Sequence, residues 1–304
     1  MDIDTLQARF GRPGRVAFEA TDEGASLIAV THPRGRARVS LKGAQVLSYV
    51  PAGGREMLWV SPLARMAGPD AMRGGIPVCW PWFAAHPAGG GKPMHGFVRT
   101  ANWDVVETGD APEGGALRIV LGFSTSEAHQ SLWPHRAKVT LTVEVGDRLT
   151  LALETTNTGA TPFELTEALH TYFAVADVAR THVLGLEGVD YLDKVDGFVR
   201  KRQVGPVGFT AEVDRIYVGT TAATCIEDAG HGRRITISKG GSASTVVWNP
   251  ARERGAGMPD VGSEAWRDFV CVETTNAGSD VVRLGPGASH TLSAVYETAP
   301  LATV

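Results

Sequence analysis

The sequence predicts an all-β protein, one large antiparallel β-sandwich with few and short helices, and three observations carry that reading. Apolar residues recur at every second position in short runs such as Leu117, Ile119, Leu121 and Phe123, the period of a half-buried strand. The 36 Gly and 17 Pro supply enough punctuation for many turns. No segment sustains a long helical period, and no repeat, low-complexity tract or linker divides the chain, so residues 1–304 read as a single domain.

Residues 1–24 are mixed in pattern and lead into the fold through a turn at Gly11, Pro13 and Gly14. The runs 26–32, 37–42, 45–50 and 57–60 follow as short strands separated by turn residues. Val139 to Val145 and Leu149 to Leu153 both alternate, and Gly146-Asp147 between them predicts a hairpin. Strand-like segments continue at 163–175, 182–186, 223–227, 234–239, 245–248, 269–274 and 290–297. The Gly- and Pro-containing stretch 249–267 reads as a long irregular connection, of the kind that often carries function.

With 33 acidic residues against 29 Lys and Arg, the chain has no global field to attract nucleic acid. Cys79, Cys225 and Cys271 form neither a disulfide framework nor a C-x-x-C pair, which suits a reducing compartment. No signal peptide or membrane-length apolar run is visible, so a cytoplasmic monomer without a membrane partner is expected.

The stretch from Met72 to Arg99 departs from the average. Between Ala71 and Trp103 there is no Asp or Glu, yet the segment holds Arg73, Lys92, Arg99, His86, His95, Trp80 and Trp82. Cations suit an anion such as phosphate, and aromatic faces suit the C–H faces of a sugar ring. A turn followed by an aromatic core strand accounts for the same residues.

Other chemistries fit less well. The nine His lack the short spacings of common metal motifs. Gly89-Gly-Gly-Lys92 fails as a phosphate loop because Pro93 stands where Ser or Thr is needed. No Gly-x-Ser-x-Gly elbow is present. An acid and base pair remains. Strand alternation places Ala168, His170 and Tyr172 on one face, and Glu273 ends an apolar run where burial demands a partner or a purpose. A hydrogen-bonded core His and a solvent-facing strand-end Glu are the plain alternatives.

Seven segments then stand together: Arg73-Gly-Gly-Ile-Pro-Val-Cys-Trp-Pro-Trp-Phe83, His95-Gly-Phe-Val-Arg99, Leu132-Trp-Pro-His135, Ala168-Leu-His-Thr-Tyr-Phe173, Asp214-Arg-Ile-Tyr217, Val247-Trp-Asn-Pro250 and Phe269-Val-Cys-Val-Glu273. In content and order they resemble the glucose-6-phosphate 1-epimerase (hexose-6-phosphate mutarotase) branch of the aldose 1-epimerase family. The resemblance implies a galactose mutarotase-like supersandwich that interconverts the anomers of a hexose 6-phosphate, with no metal or organic cofactor. It implies Glu273 as base at O1 and His170 as acid at O5, His95 and Asp214 on the sugar, and Arg73 and Arg99 on the phosphate. Trp80, Trp82 and Phe83 are expected to line the pocket. Ala84-Ala-His-Pro87 and Thr274-Thr-Asn depart from the family pattern and bear on pocket shape and sugar preference. An epimerase of unphosphorylated aldoses and a non-catalytic sugar-binding sandwich are the alternatives.

Overall fold

The longest alternating runs build the first layer. Ala137–Val145 and Leu149–Asn157 bury alternate side chains, Leu117–Ser124 buries an unbroken run from Ile119 to Gly122, and the expected hairpin pairs Ala137 with Asn157 through to Val145 with Leu149. Asp104–Asp110, Thr181–Leu184, Thr224–Asp228, Arg233–Gly240 and Ser289–Pro300 complete an antiparallel sheet of eight. The computed structural model describes residues 1–301, so the last three positions of the 1–304 span lie outside the described residues.

A second sheet of eight holds Val78–Cys79, Glu167–Leu169, Tyr172–Ala174, Asp190–Asp193, Val199–Arg202, Val213–Val218, Ser244–Asn249 and Phe269–Asn276. Leu121, Leu141, Leu151 and Ile235 of the first sheet share one core with Val78, Leu169, Phe173, Val247, Val270 and Val272 of the second. The next residue along each strand points the other way, so Cys79, Ala168, Tyr172, Trp248, Phe269 and Cys271 form a separate cluster on the second sheet's far face. That period-two division decides which residues can reach a site on this face. The architecture is the antiparallel β-sandwich that the alternation predicted, with two short α-helices among the described residues.

Several local readings change. Residues 1–24 contain a helix, Ile3–Phe10, capped by the Asp2 side chain on the Thr5 N–H, and a strand, Val16–Ala20. Leu6 is buried and Ile3 and Phe10 pack beside it on the core, but eight residues are too short a window for a helical period to stand out in the sequence. Positions 57–60 make isolated bridges, Leu58 to Phe173 and Val60 to Gly74, rather than a strand. Segment 163–175 breaks into Phe163–Leu165, Glu167–Leu169 and Tyr172–Ala174. The connection 249–267 contains a short helix, Ala251–Ala256, and ends in a 3-10 turn, Ala265–Asp268.

Candidate active site

The break in the second sheet at residues 170 and 171 sets the centre of the site. On one side Leu169 pairs with Thr274 and on the other Tyr172 pairs with Cys271, an unchanged register that puts His170 opposite Glu273. The His170 N–H leaves the ladder and donates to Pro77 O at 3.0 Å. Its Nε2 lies 3.5 Å from Oε1 of Glu273. The strand Phe269–Asn276 runs on past Glu273, whose residue is only 2% exposed, so this is not a solvent-facing strand end.

Aromatic rings fix the imidazole. Tyr172 stacks on it at 4.9 Å and 8°, while His95 and Trp248 meet it edge-on at 5.4 and 6.1 Å. Burial pushes the Glu273 carboxyl well up and the His170 imidazole well down. Lys194 opposes that rise at Glu273, and Asp214 adds to it. Nδ1 of His170, Oε2 of Glu273 and Oδ1 of Asp214 are buried with no partner among the described residues, leaving capacity for a polyhydroxylated molecule.

Asp214 pairs in register with Trp248, and its Oδ2 accepts from Lys194 Nζ at 2.8 Å. Burial raises the Asp214 carboxyl against the pull of that lysine. Lys194 also lies 5.9 Å over the Phe83 ring.

His95 is held by a reciprocal contact with Ala84. The His95 N–H donates to Ala84 O at 2.8 Å, and the Ala84 N–H donates to Nδ1 of His95 at 3.2 Å. Both residues have φ of 62°, a left-handed conformation that side chains resist and that tends to be kept at functional sites. Burial pushes the imidazole down to about 3, helped by Arg99, Lys194 and Arg73. The ring is therefore neutral, and with Nδ1 accepting, the hydrogen-bond network assigns the proton to Nε2. Gly96 follows at φ 75°, where an added Cβ would fall 1.8 Å from Trp80 O. No other residue type fits there.

One edge of the Arg73 fork and its Nη1 are engaged. Nε and Nη2 donate to Oδ2 of Asp260 at 2.9 and 2.8 Å, and Nη1 donates to the Tyr172 hydroxyl at 2.9 Å. Burial works against its charge, but Tyr172 and Asp260 outweigh it, so the guanidinium is held above its ordinary value. Arg99 is half-buried in the turn Val98–Thr100 and makes no side-chain hydrogen bond or ion pair among the described residues. Its charge acts on His95, His170 and Cys79.

The three aromatic candidates separate by parity. Phe83 shares the site face with Cys79 and packs 5.0 Å from His95. Trp80 and Trp82 fall on the other side, in the core between the sheets. Trp80 is fully buried and donates to Thr155 Oγ1, while Trp82 donates to Pro93 O. Both side chains thus lie on the core side of the chain, away from the face that carries His170 and Glu273. Four residues beyond the sequence candidates meet the site: Tyr172, Trp248, Lys194 and Asp260. The first two lie in segments that carry the family resemblance, Asp260 lies in the long connection 249–267, and Lys194, at a hairpin turn, leaves no signal. Among the described residues, no group of three or more His, Cys, Asp or Glu is placed to hold a metal ion.

Fold and site together define a class: a β-sandwich that presents a buried carboxyl–imidazole pair among aromatic rings and unpartnered acceptors. Comparison with known proteins agrees with that class. Residues 26–297 match the family model described as aldose 1-epimerase. Over 254 residues the chain is 37% identical to an Escherichia coli K12 protein provisionally named glucose-6-phosphate 1-epimerase, spanning 83% of each. A protein of the same provisional name from Cenchrus ciliaris is 34% identical over 259 residues, 83% of this chain and 78% of that one. The crystal structure of a provisionally assigned mutarotase from Salmonella typhimurium superposes with a TM-score of 0.88 at 30% identity, across 98% of this chain and 99% of the other. The chain belongs to the aldose 1-epimerase family, and it is an isomerase acting on a small sugar. No helix among the described residues is long and apolar enough to cross a membrane.

Proposed function

We propose that the protein is a hexose-6-phosphate mutarotase, with glucose 6-phosphate as substrate, and that Glu273 and His170 perform the proton transfers. The observation that carries this reading is the 3.5 Å approach of Nε2 to Oε1 across one register. The Glu273 carboxylate takes the proton from O1 while the His170 imidazolium protonates O5. The C1–O5 bond breaks and C1=O forms. Rotation about C1–C2 turns the aldehyde, O5 re-attacks C1 from the other side, and both protons return.

One proton therefore resides on the pair throughout. With the ring closed it sits on His170, and with the ring open on Glu273. Burial disfavours the charged arrangement and brings the two in energy towards each other, with Lys194 holding the carboxylate form accessible. Each positioned transfer is worth about 10²–10⁴ in rate. The Nε2–H of His95 and the acceptors of Asp214 orient the sugar, with Phe83 as a wall. Arg73 and Arg99 take the phosphate, for which a guanidinium fork is the matching shape.

A second reading, an epimerase of unphosphorylated aldoses, is favoured by the carboxylate already on Arg73. Polarimetry of freshly dissolved α-glucose 6-phosphate beside α-glucose and α-galactose separates them. Acceleration of the phosphorylated sugar above the buffer rate is the result expected; no acceleration sinks the proposal, and faster turnover of a free sugar selects the second reading. The activity is proposed for a cytoplasmic monomer formed as one domain from residues 1–304, with no nucleic acid or membrane partner.

A further inference from the structure

Of the two guanidinium groups given to phosphate above, Arg99 is free of side-chain partners among the described residues, whereas Arg73 already holds an anion. Both donors on one edge of its fork, Nε and Nη2, converge on Oδ2 of Asp260, 187 residues along the chain. The partners differ in burial. The Arg73 side chain is 25% exposed, so removing its anion without replacement strands a charge in poor solvent. The Asp260 side chain is 42% exposed and can turn to water at little cost. Its backbone stays in place, because neighbouring Val261 is fully buried in the site-face cluster and its N–H donates to Met258 O.

We propose that Asp260 is a specificity-determining residue, an internal anion that neutralises Arg73 in the free enzyme and is displaced by the phosphate of the substrate. The inference rests on the reading of Arg73 as a phosphate ligand. A carboxylate and a phosphate engage a guanidinium edge through the same parallel donors, but the phosphate brings about −1.5 to −2 charges against −1. A phosphate monoester therefore displaces the side chain, and a neutral sugar has nothing with which to do so. Tyr172 keeps its bond to Nη1 during the exchange, so the fork stays aimed. Asp260 weakens every anion by the same competition and stops Arg73 from retaining weakly bound ones.

The test compares Asp260→Asn, Asp260→Ala and Arg73→Ala with the unaltered protein, by calorimetric titration with inorganic phosphate and by KM for glucose 6-phosphate and for glucose. Loss of the competitor is expected to lower both the phosphate Kd and the glucose 6-phosphate KM by about three- to tenfold in the two Asp260 variants. The KM for glucose moves less than about twofold, since a sugar without an anionic group makes no use of the freed guanidinium edge. Unchanged or weaker phosphate binding in both Asp260 variants, with Arg73→Ala still impaired, overturns the displacement and makes Asp260 a support for Arg73. Should Arg73→Ala also leave phosphate binding and KM unchanged, the phosphate reading falls together with it.

Discussion

His170 and Glu273 occupy opposing positions of one antiparallel register even though the ladder between them is interrupted, and this brings Nε2 to 3.5 Å from Oε1. On the proposed mechanism this buried imidazole and carboxyl pass one proton between them through the substrate. Glu273→Gln and His170→Ala are each expected to lower kcat by about 10²–10⁴, with melting temperatures close to that of the parent. Polarimetry and thermal melts on the same samples check it, and a near-parental rate in either variant removes that residue from the chemistry.

Arg73→Ala is expected to raise KM for glucose 6-phosphate about tenfold or more while changing KM for free glucose far less, because a charge-assisted fork contact is lost from one substrate only. Equal losses on both sugars would assign Arg73 to the ring rather than the phosphate.

Trp80→Phe is expected to cost about 1–2 kcal/mol of stability through the lost bond to Thr155, with KM unchanged. Urea denaturation and kinetics on one preparation check the split. A KM effect without a stability effect would return Trp80 to the pocket wall.

Glu167 gives a pH prediction. It is fully buried between the sheets, and burial pushes its carboxyl up from 4.5 to about 8. His290 Nε2 lies 3.6 Å away, burial lowers that imidazole, and its Nε2 engages Asn276 Oδ1 at 3.1 Å. Between pH 4.5 and about 8 the folded chain keeps a proton that the unfolded chain has lost, so this group's contribution falls as pH rises and levels off above 8. Glu167→Gln is expected to remove that slope, with a stability gain over the parent that grows by a few kcal/mol between about pH 5 and about pH 9. Parallel slopes in parent and variant would refute it.

Gly96→Ala is expected to destabilise by more than about 2 kcal/mol, since its methyl group would fall within bonding distance of the Trp80 carbonyl. Parental melting behaviour would contradict the tight backbone approach.

The sandwich was legible because its strands alternate without interruption, as in Ala137–Val145. The same rule placed Ala168, His170 and Tyr172 together. It left burial of Glu273 and a solvent-facing strand end as equal readings, since the polar Thr274, Thr275 and Asn276 follow it. They are buried: Ser242 Oγ donates to Thr275 O, Ser244 Oγ meets Thr275 Oγ1, and Asn276 Nδ2 donates to Gly241 O. Alternation also separates Phe83 from Trp80 and Trp82, but only after one knows which parity faces the core. Lys194 and Asp260 lie outside the regular strands, where position depends on tertiary contacts that no local period records.

The second sheet has one further consequence for how the enzyme tolerates change. His170 is flanked by Leu169 and Thr171, Glu273 by Val272 and Thr274, and the Thr171 hydroxyl meets that of Tyr296 in the opposite sheet at 2.8 Å. The gap between His170 and Glu273 is thus clamped from behind by the packing of both layers. A shortened side chain at Val272 or Leu169 loosens that clamp, and its first symptom will be a fall in the temperature at which turnover peaks, below the temperature at which the chain melts.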